Sequence, residues 1–327
     1  MSRSSSQLPS TRRRALTIAG GAGAALFLSH CRTLDDGGPG PGSTALRAPR
    51  LPWGTVFKGE SRFRALCDRA HKERWASMPI GKRTAAAGKA LCGTAYVNYT
   101  LEIDDRIESP CANFEGLDCW TFYETSLAMA RLVANPPSLW TREGLLHYIE
   151  LERYRSGRCD GTYVSRMHHL EEVFSDNERR GLGKNVTASL GGSRLQRRVK
   201  YMQTRTAVRS SRYLRTDPSM VPSMAKIENQ ISTLPVYYIP NSKVSSIESK
   251  LQDGDVLAIV TDWHSTYTSH VGLAKRDGST CRFMHATSSR SKGRCCIVDT
   301  RISSYLREKG SNIGLIVFRP GDAPLIG

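Results

Sequence analysis

Acidic residues are scarce in this chain, and the scarcity is uneven. Its 327 residues hold 30 Asp and Glu against 47 Lys and Arg, for a net charge of +17. From Met1 to Cys31 there is no acid at all. Such an excess says nothing about fold but points to a polyanionic neighbour: nucleic acid, an anionic lipid surface or a cell-wall polymer. Nucleic acid is excluded by a second lack. No aromatics interleave with Arg205, Arg209 and Arg212, as stacking on bases requires. No apolar run reaches the roughly 20 residues of a membrane-spanning helix. HExxH and CxxC are both missing, Cys295 and Cys296 being adjacent, so neither a zinc site nor any cofactor is expected. Nine cysteines are too few for a disulfide-built miniprotein. The apolar fraction of 39% is enough for a core, which excludes wholesale disorder.

What is present begins with an address. Arg12, Arg13 and Arg14 precede a stretch of small and apolar residues from Ala15 to Ser29, the layout of an export signal. Thr11-Arg12-Arg13-Arg14-Ala15-Leu16 resembles a twin-arginine signal; an ordinary secretory signal with an extra arginine is the alternative. Leu28-Ser29-His30-Cys31 resembles a lipobox, with His30 where a small residue is usual, and makes Cys31 the lipidation residue. Without acylation Cys31 is a spare thiol. Removing residues 1–30 takes four arginines and no acid, leaving +13. The reading is an export signal at 1–31, a Gly/Pro linker at 32–59 and one catalytic domain at 60–322. The protein is expected outside the cytoplasm, in the periplasm or cell envelope, tethered to the membrane through a lipid on Cys31.

The domain reads as helices first and strands afterwards, hence α+β. Phe63, Leu66, Cys67 and Ala70 fall at helical spacing in 61–76. Residues 119–133 lack Gly and Pro and are apolar nearly all round; Asp118 is the N-cap and Asn135-Pro136-Pro137 the stop. Strands are predicted at 255–261, 268–275, 281–287, 295–299 and 313–319, joined by short turns into an antiparallel sheet. Arg205, Arg209 and Arg212 fall on one face of a helix, read as a solvated surface or a polyanion stripe.

Cys119 opens the apolar helix, where the partial positive charge and open N–H groups lower a thiol's pKa and can hold an oxyanion. A lone cysteine there is more often inert, and a nucleophilic thiol needs a base. Asp277-Gly278 reads as a two-residue type I′ turn, which puts His270 directly opposite His285. One imidazole then serves as base against the thiol, and the second orients it. Arg166 and His168 alternate on an extended segment, Arg166 offering a fork for a substrate carboxylate. Glu124 reads as a buried hydrogen-bonding group and Asp253-Gly254-Asp255 as a structural turn.

Gly116-Leu117-Asp118-Cys119-Trp120-Thr121-Phe122-Tyr123-Glu124, Ser269-His270-Val271-Gly272 and Phe283-Met284-His285-Ala286-Thr287 resemble the NlpC-type, papain-like cysteine peptidases of bacterial cell walls. More closely they resemble the N-acetylmuramoyl-L-alanine amidase-like family within that group. Gly93-Thr94-Ala95-Tyr96, Ser165-Arg166-Met167-His168 and Tyr238-Ile239-Pro240 match in the same order, over roughly residues 60–320. The resemblance implies a helical N-terminal half, with the catalytic cysteine at a helix start, packed on an antiparallel sheet. It implies Cys119 as nucleophile, His270 as base and His285 as third polar residue, with Tyr96 touching the site. Trp120 departs from the small or β-branched residue usual after the cysteine, and so shapes the cleft. Tyr96, Trp120, Arg166 and His168 are the expected substrate-binding residues.

The expected function is a monomeric, exported cell-wall hydrolase that cuts an amide in peptidoglycan or its muropeptides, N-acetylmuramoyl–L-alanine by resemblance. The alternatives are a γ-D-glutamyl–diamino acid endopeptidase, an acyl transferase and a non-catalytic wall-binding lipoprotein.

Overall fold

The computed structural model describes residue 46 and residues 49–327. The export segment, Cys31 and most of the expected linker lie outside the described residues.

Ordered structure starts earlier than residue 60. Trp53–Val56 is a short helix, and Phe57–Lys58 pairs in parallel with Ala112–Asn113. Phe57 packs its ring 5.4 Å from Phe63 and 5.8 Å from Phe114. Three apolar side chains in five residues anchor a segment whose upstream composition reads as linker. The fold also runs past residue 322. Ile326 is buried, and its N–H donates to Asn135 Oδ1 at 2.8 Å.

Helices α1 (Glu60–Lys72), α2 (Ile80–Leu91), α3 (Cys119–Leu132), α4 (Arg142–Arg153) and α5 (Leu170–Arg179) build the first half. In α1, Phe63, Leu66, Cys67 and Ala70 face the core as their spacing predicts. Helix α2 approaches its neighbours through Gly88. A Cβ there would lie 2.8 Å from Met284 Cε and 3.2 Å from Ser126 Oγ, so a larger residue would have to push these side-chain ends aside between the sheet and α3. Helix α3 is buried almost throughout, and Asp118 and Thr121 cap it reciprocally.

The sheet comprises β1 (Gly183–Asn185), β2 (Ser193–Arg194), β3 (Tyr237–Pro240), β4 (Val256–Thr261), β5 (Thr268–Asp277), β6 (Thr280–Ala286), β7 (Cys296–Arg301) and β8 (Asn312–Pro320). Its order is β7-β6-β5-β4-β8-β3-β2, with β1 also pairing β8; the pairings are antiparallel. Both faces are covered. Val256, Ala258 and Val260 enter the core that includes α2 and α3. Leu257 and Ile259 enter a second core with Val244 and Ile247 of α6 (Asn241–Ile247) and Ile302, Tyr305 and Leu306 of α7 (Ile302–Arg307). Strand β4 is therefore an unbroken apolar run rather than an alternating one.

Two local expectations are corrected. The β5–β6 turn is Gly278-Ser279, since Asp277 pairs with Thr280. Gly278 has φ +57° and Ser279 does not share the left-handed region, which suits a type II′ turn with Gly first rather than type I′. Arg205, Arg209 and Arg212 do not share one helix. Arg205–Ser210 and Arg212–Thr216 are separate, because Ser211 is extended and caps the second through Leu214 N–H.

Candidate active site

The revised turn shifts the register by two, an even number, so His270 and His285 keep the same face of the sheet. They lie diagonally rather than directly opposite. Gly272 stands against His285: a Cβ on Gly272 would fall 2.7 Å from His285 Cβ and 2.5 Å from Met284 O. That missing side chain opens the space across which the two rings meet. His270 Nε2 and His285 Nδ1 are 2.8 Å apart, with the rings nearly perpendicular. Phe283 and Tyr305 pack against both rings.

The chain of contacts continues to a residue that sequence reasoning passed over. His285 Nε2 lies 3.1 Å from Asp299 Oδ2. Lys292 Nζ donates to the same oxygen at 2.6 Å and to Glu308 Oε2 at 2.8 Å. Asp299 sits in β7, a neighbour of β6, so a cross-strand search of the kind that paired the histidines was the available signal. Burial alone would raise the Asp299 pKa. Hydrogen bonds from His285, Lys292 and the Thr300 N–H outweigh it and hold the carboxyl well below the usual range.

Cys119 is half-buried at the first position of α3. Its carboxylate neighbour Asp118 accepts from Thr121 N–H at 2.8 Å and from the Thr100 hydroxyl at 2.8 Å. Cys119, Trp120, His168, Ser269, His270 and Val271 line one hollow of roughly 200 Å³. The backbone N–H groups of Val271, Trp120 and Cys119 itself favour the charged form of the sulfur. These lower the thiol pKa, as expected of a helix start. Burial and the Asp118 charge override them and push it up to about 12, so the resting residue is a thiol, not the thiolate that the helix terminus suggests. The His270 pKa is pushed well below its ordinary value by burial, by His285 and by Lys309. Burial thus favours the neutral form of both groups that line this hollow.

Trp120, His168 and Tyr201 also line a second hollow of roughly 210 Å³, with Tyr99, Glu102, Tyr163, Arg166 and Ser211. Trp120 is pinned by Nε1 donating to Glu124 Oε1 at 2.7 Å, and Arg153 Nε donates to the other Glu124 oxygen at 2.9 Å. Arg166 is 4% exposed; its Nε donates to Glu108 at 3.2 Å, while Nη2 lies 3.8 Å from Glu102 Oε1 as an ion pair and makes no hydrogen bond among the described residues. His168 Nε2 is 3.1 Å from Tyr163 O, and burial, Arg166 and Arg155 keep the ring neutral. Tyr96 is half-buried on a two-residue strand beside Gly116–Leu117; burial, then Cys119 and Asp118, raise its pKa. Asp253-Gly254-Asp255 is structural, with Asp255 forked to Arg319 at 2.8 and 2.9 Å. A larger hollow, about 470 Å³, lies between α1 and the end of α2 and includes Cys92, whose sulfur donates to Gly88 O.

The family model described as "AmiA-like: N-acetylmuramoyl-L-alanine amidase-like" matches residues 86–314. A Bacteroides uniformis N-acetylmuramoyl-L-alanine amidase structure is 26% identical, with a TM-score of 0.66, over 74% of this chain and 99% of that one. A Bacteroides fragilis protein described as a candidate xylanase is 30% identical, with a TM-score of 0.63, over 72% and 99%. A Legionella pneumophila protein, 18% identical over 81% and 97%, shares the fold at a TM-score of 0.57. No curated protein matches the chain significantly. The match of the family model across most of the folded residues, together with the same mixed helix-and-antiparallel-sheet fold in these relatives, makes this chain a member of the AmiA-like, N-acetylmuramoyl-L-alanine amidase-like family.

Proposed function

We propose that the protein is a cysteine-dependent peptidoglycan amidase of papain-like, NlpC type that cuts the bond between N-acetylmuramic acid and L-alanine. The observation that carries this reading is the shared hollow of Cys119 and His270, with His270 hydrogen-bonded to His285 behind it. His270 takes the thiol proton as sulfur attacks the lactyl carbonyl carbon, and returns it to the L-alanine nitrogen as the C–N bond breaks. Water, deprotonated by the same ring, then cleaves the thioester and regenerates the thiol. The backbone N–H groups at the α3 start are the donors for the tetrahedral oxyanion.

Trp120 and His168 line both hollows and form walls for the substrate, while Tyr96 is near enough to feel the Cys119 charge but lines neither. Arg166 Nη2, which makes no hydrogen bond among the described residues and faces Glu102 Oε1 at 3.8 Å, is the donor for a stem-peptide carboxylate in the second hollow. The protein works as a monomer in the envelope, exported by its N-terminal segment and held there through Cys31. Glycoside cleavage finds little support, because it needs two carboxylates flanking the bond. Among the described residues, the thiol hollow is lined by no Asp or Glu, and the second hollow offers Glu102 alone.

Digestion of purified muropeptides, with mass analysis of the fragments, tests the reading. Release of intact stem peptides supports the amidase. A cut inside the stem indicates the γ-D-glutamyl–diamino acid endopeptidase, and no product at all indicates an acyl transferase or a wall-binding lipoprotein. Cys119→Ala is expected to abolish release while leaving the melting temperature within a degree or so, since little packing is lost. Retained cleavage in that variant overturns the mechanism.

A further inference from the structure

We propose that Asp299 is a positioning residue, whose carboxylate sets the tautomers of His285 and His270 in series and so delivers an unprotonated His270 Nδ1 to the thiol. The inference rests on the reading that Cys119 and His270 perform the chemistry. An ionised carboxylate can only accept. At 3.1 Å from His285 Nε2, Asp299 Oδ2 therefore requires the proton on Nε2. A neutral His285 then has a lone pair at Nδ1. His270 Nε2, 2.8 Å away, must donate to that lone pair, so the His270 proton sits on Nε2 and its Nδ1 is left bare. One carboxylate thus decides a tautomer two rings away. The opposite assignment would place N–H at His270 Nδ1 and leave no base for the thiol.

The surroundings support a fixed anion. The Asp299 side chain is 10% exposed and His285 is 1% exposed. Thr300 N–H donates to Asp299 Oδ1 at 2.7 Å, and Lys292, held by Glu308 and lying 5.4 Å over the Tyr305 ring, donates to Oδ2 at 2.6 Å. Arg282 reaches the Asp299 carbonyl rather than its carboxylate. The charges that face the histidine pair are then Asp299, Lys292 and, toward His270, Lys309. When His270 takes the thiol proton, the Asp299 charge stabilises the cation shared by the two rings.

Two measurements test this. Ring nitrogen NMR on the intact Cys119→Ala protein should find His270 and His285 both protonated on Nε2, and Asp299→Asn should scramble both. That readout is independent of any substrate. Kinetics on muropeptides should show Asp299→Asn lowering kcat roughly 10- to 100-fold, as loss of carboxylates behind metal-bound histidines does, with KM little changed. The acid limb of kcat/KM should move to lower pH in Asp299→Asn and to higher pH in Lys292→Met, with partial recovery of kcat in Asp299→Glu. Opposed shifts are not produced by a merely structural residue. A His270 proton on Nδ1 in the parent protein, or an Asp299→Asn enzyme with unaltered tautomers, rate and pH profile, overturns the proposal. Failure to cleave muropeptides with the NMR result intact overturns only the amidase reading.

Discussion

At Cys119 the two faces of a helix start compete. Three N–H groups favour the anion, but burial and Asp118 disfavour it more strongly, and the thiol pKa rises to about 12. Because the thiolate fraction increases with pH up to that value, alkylation of resting Cys119 by a small reagent should be slow at pH 7 and accelerate steadily above pH 9. A flat profile between pH 6 and 8 would mean a resting ion pair with His270 instead. Asp118→Asn keeps a side-chain oxygen for the cap and removes the charge, so it should move the alkylation profile toward lower pH. Gly272 is the second critical residue. Gly272→Ala forces a methyl to within 2.7 Å of His285 Cβ, so His285 must leave His270, and hydrolysis should fall by at least tenfold with a loss of stability of about 1–3 kcal/mol, read by denaturant unfolding.

Among elements, α3 carries the most. Its N-terminus holds Cys119, the proposed nucleophile, and its body is clamped by acidic and basic groups that have almost no access to water. Glu124 pairs with Arg153 of α4 at 2.8 Å, and Arg131 with Glu152 at 2.8 Å, all four side chains being 3% exposed or less. Breaking such a pair strands a charge, which costs about 3–5 kcal/mol. Arg153→Met should show that loss in urea unfolding, together with a disturbed Trp120, because Glu124 then holds the indole without its own partner. Asp118→Ala removes the cap bond to Thr121 N–H and should cost about 0.5–2 kcal/mol.

For the whole molecule, charge is distributed with a purpose. From Gly181 to Thr216 there is no acidic residue, while Arg194, Arg198, Lys200, Arg205, Arg209, Arg212 and Arg215 are exposed. The same segment supplies Tyr201, Met202, Ala207, Ser210 and Ser211 to the second hollow. One wall of the cleft is therefore cationic on its outer side. Capture of intact, anionic cell-wall material should weaken steeply between about 50 and 300 mM salt, as screened long-range attraction does. Replacing Arg198, Arg205, Arg209 and Arg215 by Glu should raise KM on whole wall and leave kcat on a small soluble muropeptide unchanged. Equal salt dependence for both substrates would contradict this.

Periodicity and capping chemistry by themselves determined a good deal: the buried α3 with Asp118 before Cys119, the five main strands to within two residues, and the order of helices and then sheet. These are local properties, written in 3.6- and 2-residue repeats and in side chains that bond their own backbone. Glu124 and the Asp253-Gly254-Asp255 turn were legible for the same reason. Tertiary structure decided the rest, because it depends on what distant segments bring. The choice of Gly278-Ser279 over Asp277-Gly278 was settled by pairing across the whole β5–β6 ladder, and the even shift preserved the shared face of His270 and His285. Asp299 became visible only once β7 lay beside β6. The thiol's high pKa followed from burial under a sheet that the sequence around Cys119 does not describe, since desolvation is a property of the packed molecule and a helix dipole a property of one element.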